Sequence, residues 1–150
     1  NEKNGKDYFF VKNKDFKKLI KRKKFLEYAK VFKNYYGSLK KNVFDKLNDG
    51  KNVIFDIDWQ GTKQLSQFKN LKLVKIYLTT DSKKELKNRL IKRDQNSEEE
   101  IKKRFSAFDE DIKHWNDYDY IVINKNLDVC FKQIEKIIEQ SKKKFTNLFQ

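Results

Sequence analysis

The chain of 150 residues contains no proline, no methionine, one cysteine, one histidine and only four glycines. Cys130 has no second cysteine to pair with, so an internal disulfide is excluded, which fits a reducing, cytoplasmic setting. Gly5, Gly37, Gly50 and Gly61 lie far apart, and no Gly-x-x-x-x-Gly-Lys-Ser/Thr loop occurs. A backbone cradle of that kind for phosphates is therefore absent from these residues. No apolar run approaches the roughly 20 residues that span a bilayer, and no signal peptide is visible. A chain without methionine that opens on Asn1 leads to the expectation that upstream sequence is missing. There is no internal repeat and no long low-complexity linker, and the length suits one domain with a sizeable core.

Lysine is what the chain has in abundance. The 36 Lys and Arg residues outweigh 22 Asp and Glu, giving a formal charge of +14. Clustered cations would favour nucleic acid, because they release phosphate counterions on binding. Here they are scattered among Asn and acidic residues along the whole chain, the pattern of a solvated surface, so neither a specific nucleic acid nor a membrane is expected as a partner. Against that background Arg22, Arg89, Arg93 and Arg104 stand out. Arginine offers phosphate oxygens a planar fork of donors that lysine lacks.

The remaining pattern is organised around Val53-Ile54-Phe55-Asp56-Ile57-Asp58-Trp59-Gln60-Gly61. Its apolar-dominated start, without alternation, reads as a strand buried on both faces of a parallel sheet. Asp56 and Asp58 then fall where the strand should end, the place where open α/β sheets bind ligands, and strand alternation puts both carboxylates on one side. A strand running into a polar loop is the plainer alternative.

Residues 1–38 read as a small α+β lobe. Tyr8 to Val11 is a short strand signal, Asn13 can cap a helix carrying Phe16, Leu19 and Ile20, and Phe25 to Phe32 is extended. Asn34-Tyr35-Tyr36-Gly37-Ser38 reads as a turn-rich aromatic segment. From residue 39 the rhythm is α/β. A helix through Val43, Phe44 and Leu47 ends near Gly50 and feeds the Val53–Ile57 strand. A helix from about Thr62 to Phe68 precedes a buried strand from Leu73 to Leu78. Ser82 with Glu85, and Ser97 with Glu100, form two capping-box signatures. The first opens a helix facing the core with Leu86 and Leu90, the second a helix stepping through Ile101, Phe105, Phe108, Ile112 and Trp115. Tyr120 to Ile123 is a third strand, ending at Asn124, and the last helix carries Leu127, Phe131, Ile134, Ile138 and Phe145. The fold class expected is α/β, a parallel sheet covered by helices with right-handed crossovers.

Arg89 and Arg93 share a helix face. Beyond the polar break Asp94-Gln95-Asn96 comes Arg104, so a helix–break–helix could close three guanidinium groups over a phosphate. Surface ion pairing with Glu98 and Glu99 is the alternative. His114 reads as a surface residue, Trp59 as packing at the strand exit and Cys130 as a small core residue.

The segments Glu2-Lys-Asn-Gly5-Lys-Asp-Tyr8-Phe-Phe-Val11, Phe25-Leu-Glu27, Asn34-Tyr-Tyr36-Gly-Ser38, Asp56-Ile-Asp58-Trp-Gln-Gly61, Arg89-Leu-Ile-Lys-Arg93, Lys103-Arg104 and Ile121-Val-Ile-Asn124 follow the order and spacing of guanylate kinases. The chain resembles that family from residue 1 to the final helix. The family consists of P-loop kinases that move the γ-phosphoryl group of ATP onto GMP. The resemblance implies a GMP-binding lobe over residues 1–38 and a P-loop kinase core over 39–150, with a helical lid near 92–103. It implies that Glu27 accepts from guanine N1–H and the exocyclic amine, that Ser38 serves O6, and that Tyr8 and Tyr36 offer hydroxyls to the GMP phosphate. Glu2 would line the same pocket, and Asp58 would face the GMP side. Asp56 takes the acidic position near hydrated Mg²⁺, which bridges ATP phosphates and needs only one or two protein carboxylates. Arg89, Arg93 and Arg104 match the lid and its flanking helices, and Asn124 lies by the adenine pocket.

The departures are the absent P-loop, first strand and first helix, and two arginines expected upstream of Glu2. Thr79-Thr80 also replaces prolines, and Asp94 replaces a glycine. The expectation is an active full-length GMP (or dGMP) kinase whose 150-residue chain alone turns over negligibly. The alternative is a non-catalytic guanylate kinase-like protein-binding module, which would have no need of Glu27, Ser38, Asp58 and the three arginines. Nothing in the sequence specifies an oligomeric state.

Overall fold

A computed structural model of the chain describes residues 3–93 and 98–146. The chain divides into two compact units, Asn1–Lys69 and Asn70–Gln150. The residues expected to form a separate lobe, 1–38, lie in the first unit together with the two helices that follow them.

The first unit contains α1 (Asn13–Lys21), β1 (Phe25–Val31), β2 (Asn34–Leu39), α2 (Lys40–Asn48) and α3 (Trp59–Leu65). The strands form an antiparallel hairpin closed by Phe32-Lys33, with Phe32 in the left-handed region at φ 54°. Residues 34–38 are thus a strand rather than the turn-rich segment expected, because Tyr35 and Tyr36 suit a pleated surface and pair with Lys30 and Ala29. Phe16 docks α1 on the hairpin, stacking on Phe25 at 4.4 Å and meeting Tyr35 at 5.4 Å. With Phe25, Leu26, Ala29, Val43 and Leu65 it forms a closed apolar core.

Three expectations fail here. Asn13 is not a cap: the Lys12 carbonyl already accepts from the Asp15 and Phe16 amides, so the helix starts one residue earlier. Tyr8 to Val11 is not a strand, since only an Asn4–Tyr8 bridge forms and the Phe10 amide donates to the Asn4 side chain. Val53 to Ile57 is neither paired nor buried on both faces. Ile54 is 85% exposed while Val53, Phe55 and Ile57 are half-buried, a one-sided alternation, and no described strand lies alongside to complete a ladder. Gly50 fulfils its expected role at the end of α2, at φ 73° with its amide on the Leu47 carbonyl.

The second unit contains β3 (Ile76–Thr79), α4 (Lys83–Arg93), α5 (Glu98–Asp111), a 3₁₀ turn (Ile112–Asp117), β4 (Tyr120–Ile123) and α6 (Leu127–Thr146). β3 and β4 pair in parallel, Ile76 opposite Tyr120 through Thr79 opposite Ile123, and the helical connection supplies the crossover that parallel pairing demands. β3 starts later than the expected Leu73. The Asp119 carboxylate takes the Lys75 amide at 2.8 Å, fixing the register so that β4 has nothing to offer residues 73–74. The Ser82 hydroxyl caps α4 at the Glu85 amide, 3.1 Å away, but Glu85 turns its carboxylate to Arg89 rather than back to the cap. The helix expected to run unbroken from Ile101 to Trp115 tightens at Ile112. Three residues per turn rotate Ile112 and Trp115 off the stripe, and both are exposed. In α6 the buried stripe runs through Cys130 and Ser141 with Ile134 and Ile138 half-buried, whereas Leu127 and Phe131, expected in the core, face out. Cys130, as expected, is core. His114 is half-buried, its ring nitrogens 3.9 Å from Glu110 and 3.6 Å from Asp117. Residues 94–97, with the break and Ser97, and the side chains of Glu98, Glu100 and Phe145 lie outside the described residues.

Candidate functional site

The chemistry of the first unit centres on Glu27. A bulge separates Phe25, opposite Leu39, from Glu27, opposite Ser38, so three consecutive residues of β1 turn inward and a carboxylate is carried into the core. Glu27 is only 3% exposed. The Ser38 hydroxyl donates to its Oε1 at 2.6 Å. Burial pushes the Glu27 carboxyl above its ordinary value of 4.5, hydrogen bonding from Ser38 pulls it down, and the charge of Asp58 pushes it up again. An ionised carboxylate in this position lacks water and has one side-chain donor, so a ligand edge bearing two N–H groups answers its chemistry.

Asp58 sits close enough to be felt by Glu27, yet its own oxygens are taken. Oδ1 accepts from the Gln60 and Gly61 amides at 3.0 and 3.1 Å, and Oδ2 from the Gln60 side chain at 2.9 Å. Asp58 is the N-cap of α3, which explains why that helix begins at Trp59 rather than near Thr62. Half-buried Trp59 opens the helix. Gln64 clips α3 to β1: its side chain donates to the Tyr28 carbonyl at 2.7 Å and accepts from the Tyr28 amide at 3.2 Å. Nothing in the sequence marks Gln64 for this role. Tyr8 and Tyr36 come together edge to face at 5.7 Å, both exposed, so two phenol groups share one surface. Asp56 is exposed. Glu2 lies outside the described residues.

In the second unit Arg89 is held by Glu85 at 2.7 Å, an i,i+4 ion pair on the face of α4. Arg104 is half-buried on α5, and the Arg93 side chain lies outside the described residues. The neighbouring cation Lys103 pairs with Glu99 at 2.7 Å. Asn124 extends the parallel ladder by donating its amide to the Thr79 carbonyl at 2.7 Å. Asn126 caps α6 through the Val129 amide, and an Asn just before an apolar-periodic run is the sequence signal for such a cap. An open groove of about 410 Å³ lined by Ile121, Ile123, Lys125, Asn126, Val129 and Gln133 contains no convergent acid, base or donor set comparable to Glu27 and Ser38. Among the described residues no three His, Cys, Asp or Glu side chains cluster as metal ligands, and no helix is long and apolar enough to cross a membrane.

Comparison with known proteins fits this geometry. The family described as guanylate kinase matches residues 1–141. A guanylate kinase of Buchnera aphidicola subsp. Baizongia pistaciae is 44% identical over 134 residues, 89% of this chain and 64% of the relative. That of Rickettsia bellii is 40% identical over 144 residues, 96% of this chain and 75% of the relative. The solved guanylate kinase of Anaplasma phagocytophilum superposes with a TM-score of 0.75 at 30% identity, covering 93% of this chain and 67% of the other. This chain spans 62–64% of the length of the first curated relatives it matches.

Proposed function

The chain belongs to the guanylate kinase family, and from that premise we propose that its protein transfers the γ-phosphoryl group of ATP to GMP or dGMP, giving ADP and GDP as a step of purine nucleotide metabolism. The observation that supports this best is the buried Glu27 with Ser38 on its Oε1. Guanine presents two donors, N1–H and the exocyclic amine, where adenine presents an acceptor at N1, so a carboxylate sealed from water selects between them. Ser38 spends its proton on Glu27 in the free protein; when the base takes over that oxygen, the hydroxyl is released to turn to O6. Tyr8 and Tyr36 then receive the GMP phosphate, with Glu2 lining the pocket. Asp58 serves the same site from beneath, as the cap that fixes the start of α3.

Phosphoryl transfer asks for positioning and neutralised charge more than for covalent chemistry. Arg89, Arg93 and Arg104 would supply the charge to the phosphates, Arg89 by exchanging Glu85 for a stronger anion, and Asn124 would stand by the adenine. The acidic residues fit a water-clad Mg²⁺: Asp56 is exposed, whereas both Asp58 oxygens are occupied, so Asp56 is the carboxylate to hold it. When bound with ATP, magnesium neutralises and orients the phosphates. Residues 1–150 carry no Gly-x-x-x-x-Gly-Lys loop, so this stretch alone is expected to turn over negligibly, which a coupled ADP-release assay checks. The unpaired, buried Cys130 suits a reducing cytoplasm.

Calorimetric titration with GMP and AMP tests the reading. GMP should bind and AMP should not, and because Glu27 must be ionised to accept, GMP affinity should fall as pH drops through its raised pKa. Equal binding of both nucleotides would remove the basis for a guanine site and favour the non-catalytic protein-binding module.

A further inference from the structure

Gly61 lies buried in the first turn of α3, where its φ is not in the left-handed region and alanine would be the better helix former. Backbone conformation therefore does not call for glycine. What does is its neighbour: a Cβ at Gly61 would come within 2.8 Å of Glu27 Oε2, 3.1 Å of Ile57 Cδ1 and 3.2 Å of Ile57 Cβ. The Glu27 carboxylate is thus braced on both oxygens, Oε1 by the Ser38 hydroxyl and Oε2 against the bare Cα of Gly61. The brace cannot slide, because Gln64, one turn on, is bonded to both backbone groups of Tyr28, the residue next to Glu27.

We infer that Gly61 is a positioning residue that aims the Glu27 carboxylate and so sets discrimination between guanine and other bases, an inference that rests on the base reading proposed above. Of the groups a methyl would crowd, the Glu27 carboxylate ends a rotatable side chain whose side-chain donor is the Ser38 hydroxyl, while the Ile57 atoms need to yield only by tenths of an ångström. The carboxylate gives way first. It leaves Ser38, and the fold around it stays.

A double-variant cycle tests this without any ligand. Gly61→Ala is expected to lower Tm in the wild-type background and to be neutral or raise Tm in Glu27→Ala, where the contact with the carboxylate is gone and the gain in helix propensity offsets the small adjustment of Ile57. The same Tm change in both backgrounds overturns the inference. Should Gly61→Ala fail to fold alone, recovery in the Glu27→Ala/Gly61→Ala double variant supports it, and failure of both overturns it. Calorimetry with GMP and AMP separates the two ideas: Gly61→Ala should cost on the order of 10- to 100-fold in GMP affinity, the scale of a hydrogen bond to a charged acceptor that is no longer well aimed. If Glu27→Ala abolishes the preference for GMP and Gly61→Ala leaves it intact, positioning fails. If the cycle is coupled yet Glu27→Ala keeps the preference, positioning stands and the base reading falls.

Discussion

The two units solve different problems with different amounts of core. Of the eight buried apolar residues among those described, six (Phe16, Phe25, Leu26, Ala29, Val43 and Leu65) belong to the first unit, which leaves Val122 and Cys130 to the second. The second leaves Ile121, Ile123, Leu127, Val129 and Phe131 exposed around β4 and α6. The difference follows the chemistry assigned to each. Under the proposed function, reading a base through hydrogen bonds asks for an acceptor that does not move, and Glu27 sits in a bulge, under a clipped helix, amid close packing. The phosphate-neutralising role proposed for Arg89 and Arg104 would tolerate more play, and both sit on helices that bury little.

That contrast can be broken by truncating one apolar side chain in each unit. Leu26→Ala, at a site 3% exposed, should destabilise the protein by about 3–5 kcal/mol in a urea titration, a large share of the roughly 5–15 kcal/mol that keeps a domain folded. A loss below about 1 kcal/mol would mean that this core is not closed. A smaller effect sharpens the contrast through charge. Glu27→Gln should stabilise the protein by about 1 kcal/mol at neutral pH by relieving a desolvated carboxylate. The folded pKa of Glu27 lies above its ordinary 4.5, so the folded state holds that proton more tightly. Wild-type stability therefore declines as pH rises from 4.5 through the folded pKa and then levels, while the variant lacks that decline. Parallel stability–pH curves for the two proteins would show that Glu27 carries no such penalty. The smallest change is expected at Phe131→Ala, 59% exposed, where stability should stay within about 0.5 kcal/mol. A large loss there would reveal that the outer face of α6 is packed in solution.

Much of this was readable from residues alone. The α/β class, the last strand to the residue, the Ser82 cap and the Gly50 terminus all rest on local chemistry, and local chemistry is what a sequence displays. The resemblance to the family singles out Glu27, Ser38, Tyr8 and Tyr36; the hairpin pairs the first two, and an aromatic contact joins the others. What escaped depended on partners distant in sequence. Val53 to Ile57 has strand composition, but a strand is a relation to a neighbour, and composition cannot supply one. The capping of α3 by Asp58 is a property of an Asp before a helix, and that signal stands in the sequence beside the site its carboxylate suggests. Gln64 carried no signal, since its partner is 36 positions away. The end of the Ile101 stripe was missed because apolar spacing continues smoothly into a turn whose geometry does not.

The Gln64 clip also bears on solubility. In a two-stranded hairpin each strand has one flank open to the addition of a foreign strand, and β1, with Leu26, Tyr28 and Ala29, is the more adhesive of the two. By occupying the outward amide and carbonyl of Tyr28 with a side-chain amide, the helix behaves as a counterfeit third strand one residue long. A second molecule seeking to extend the sheet there would first have to evict it, so the device that steadies the carboxylate also protects the chain from aggregating edge to edge.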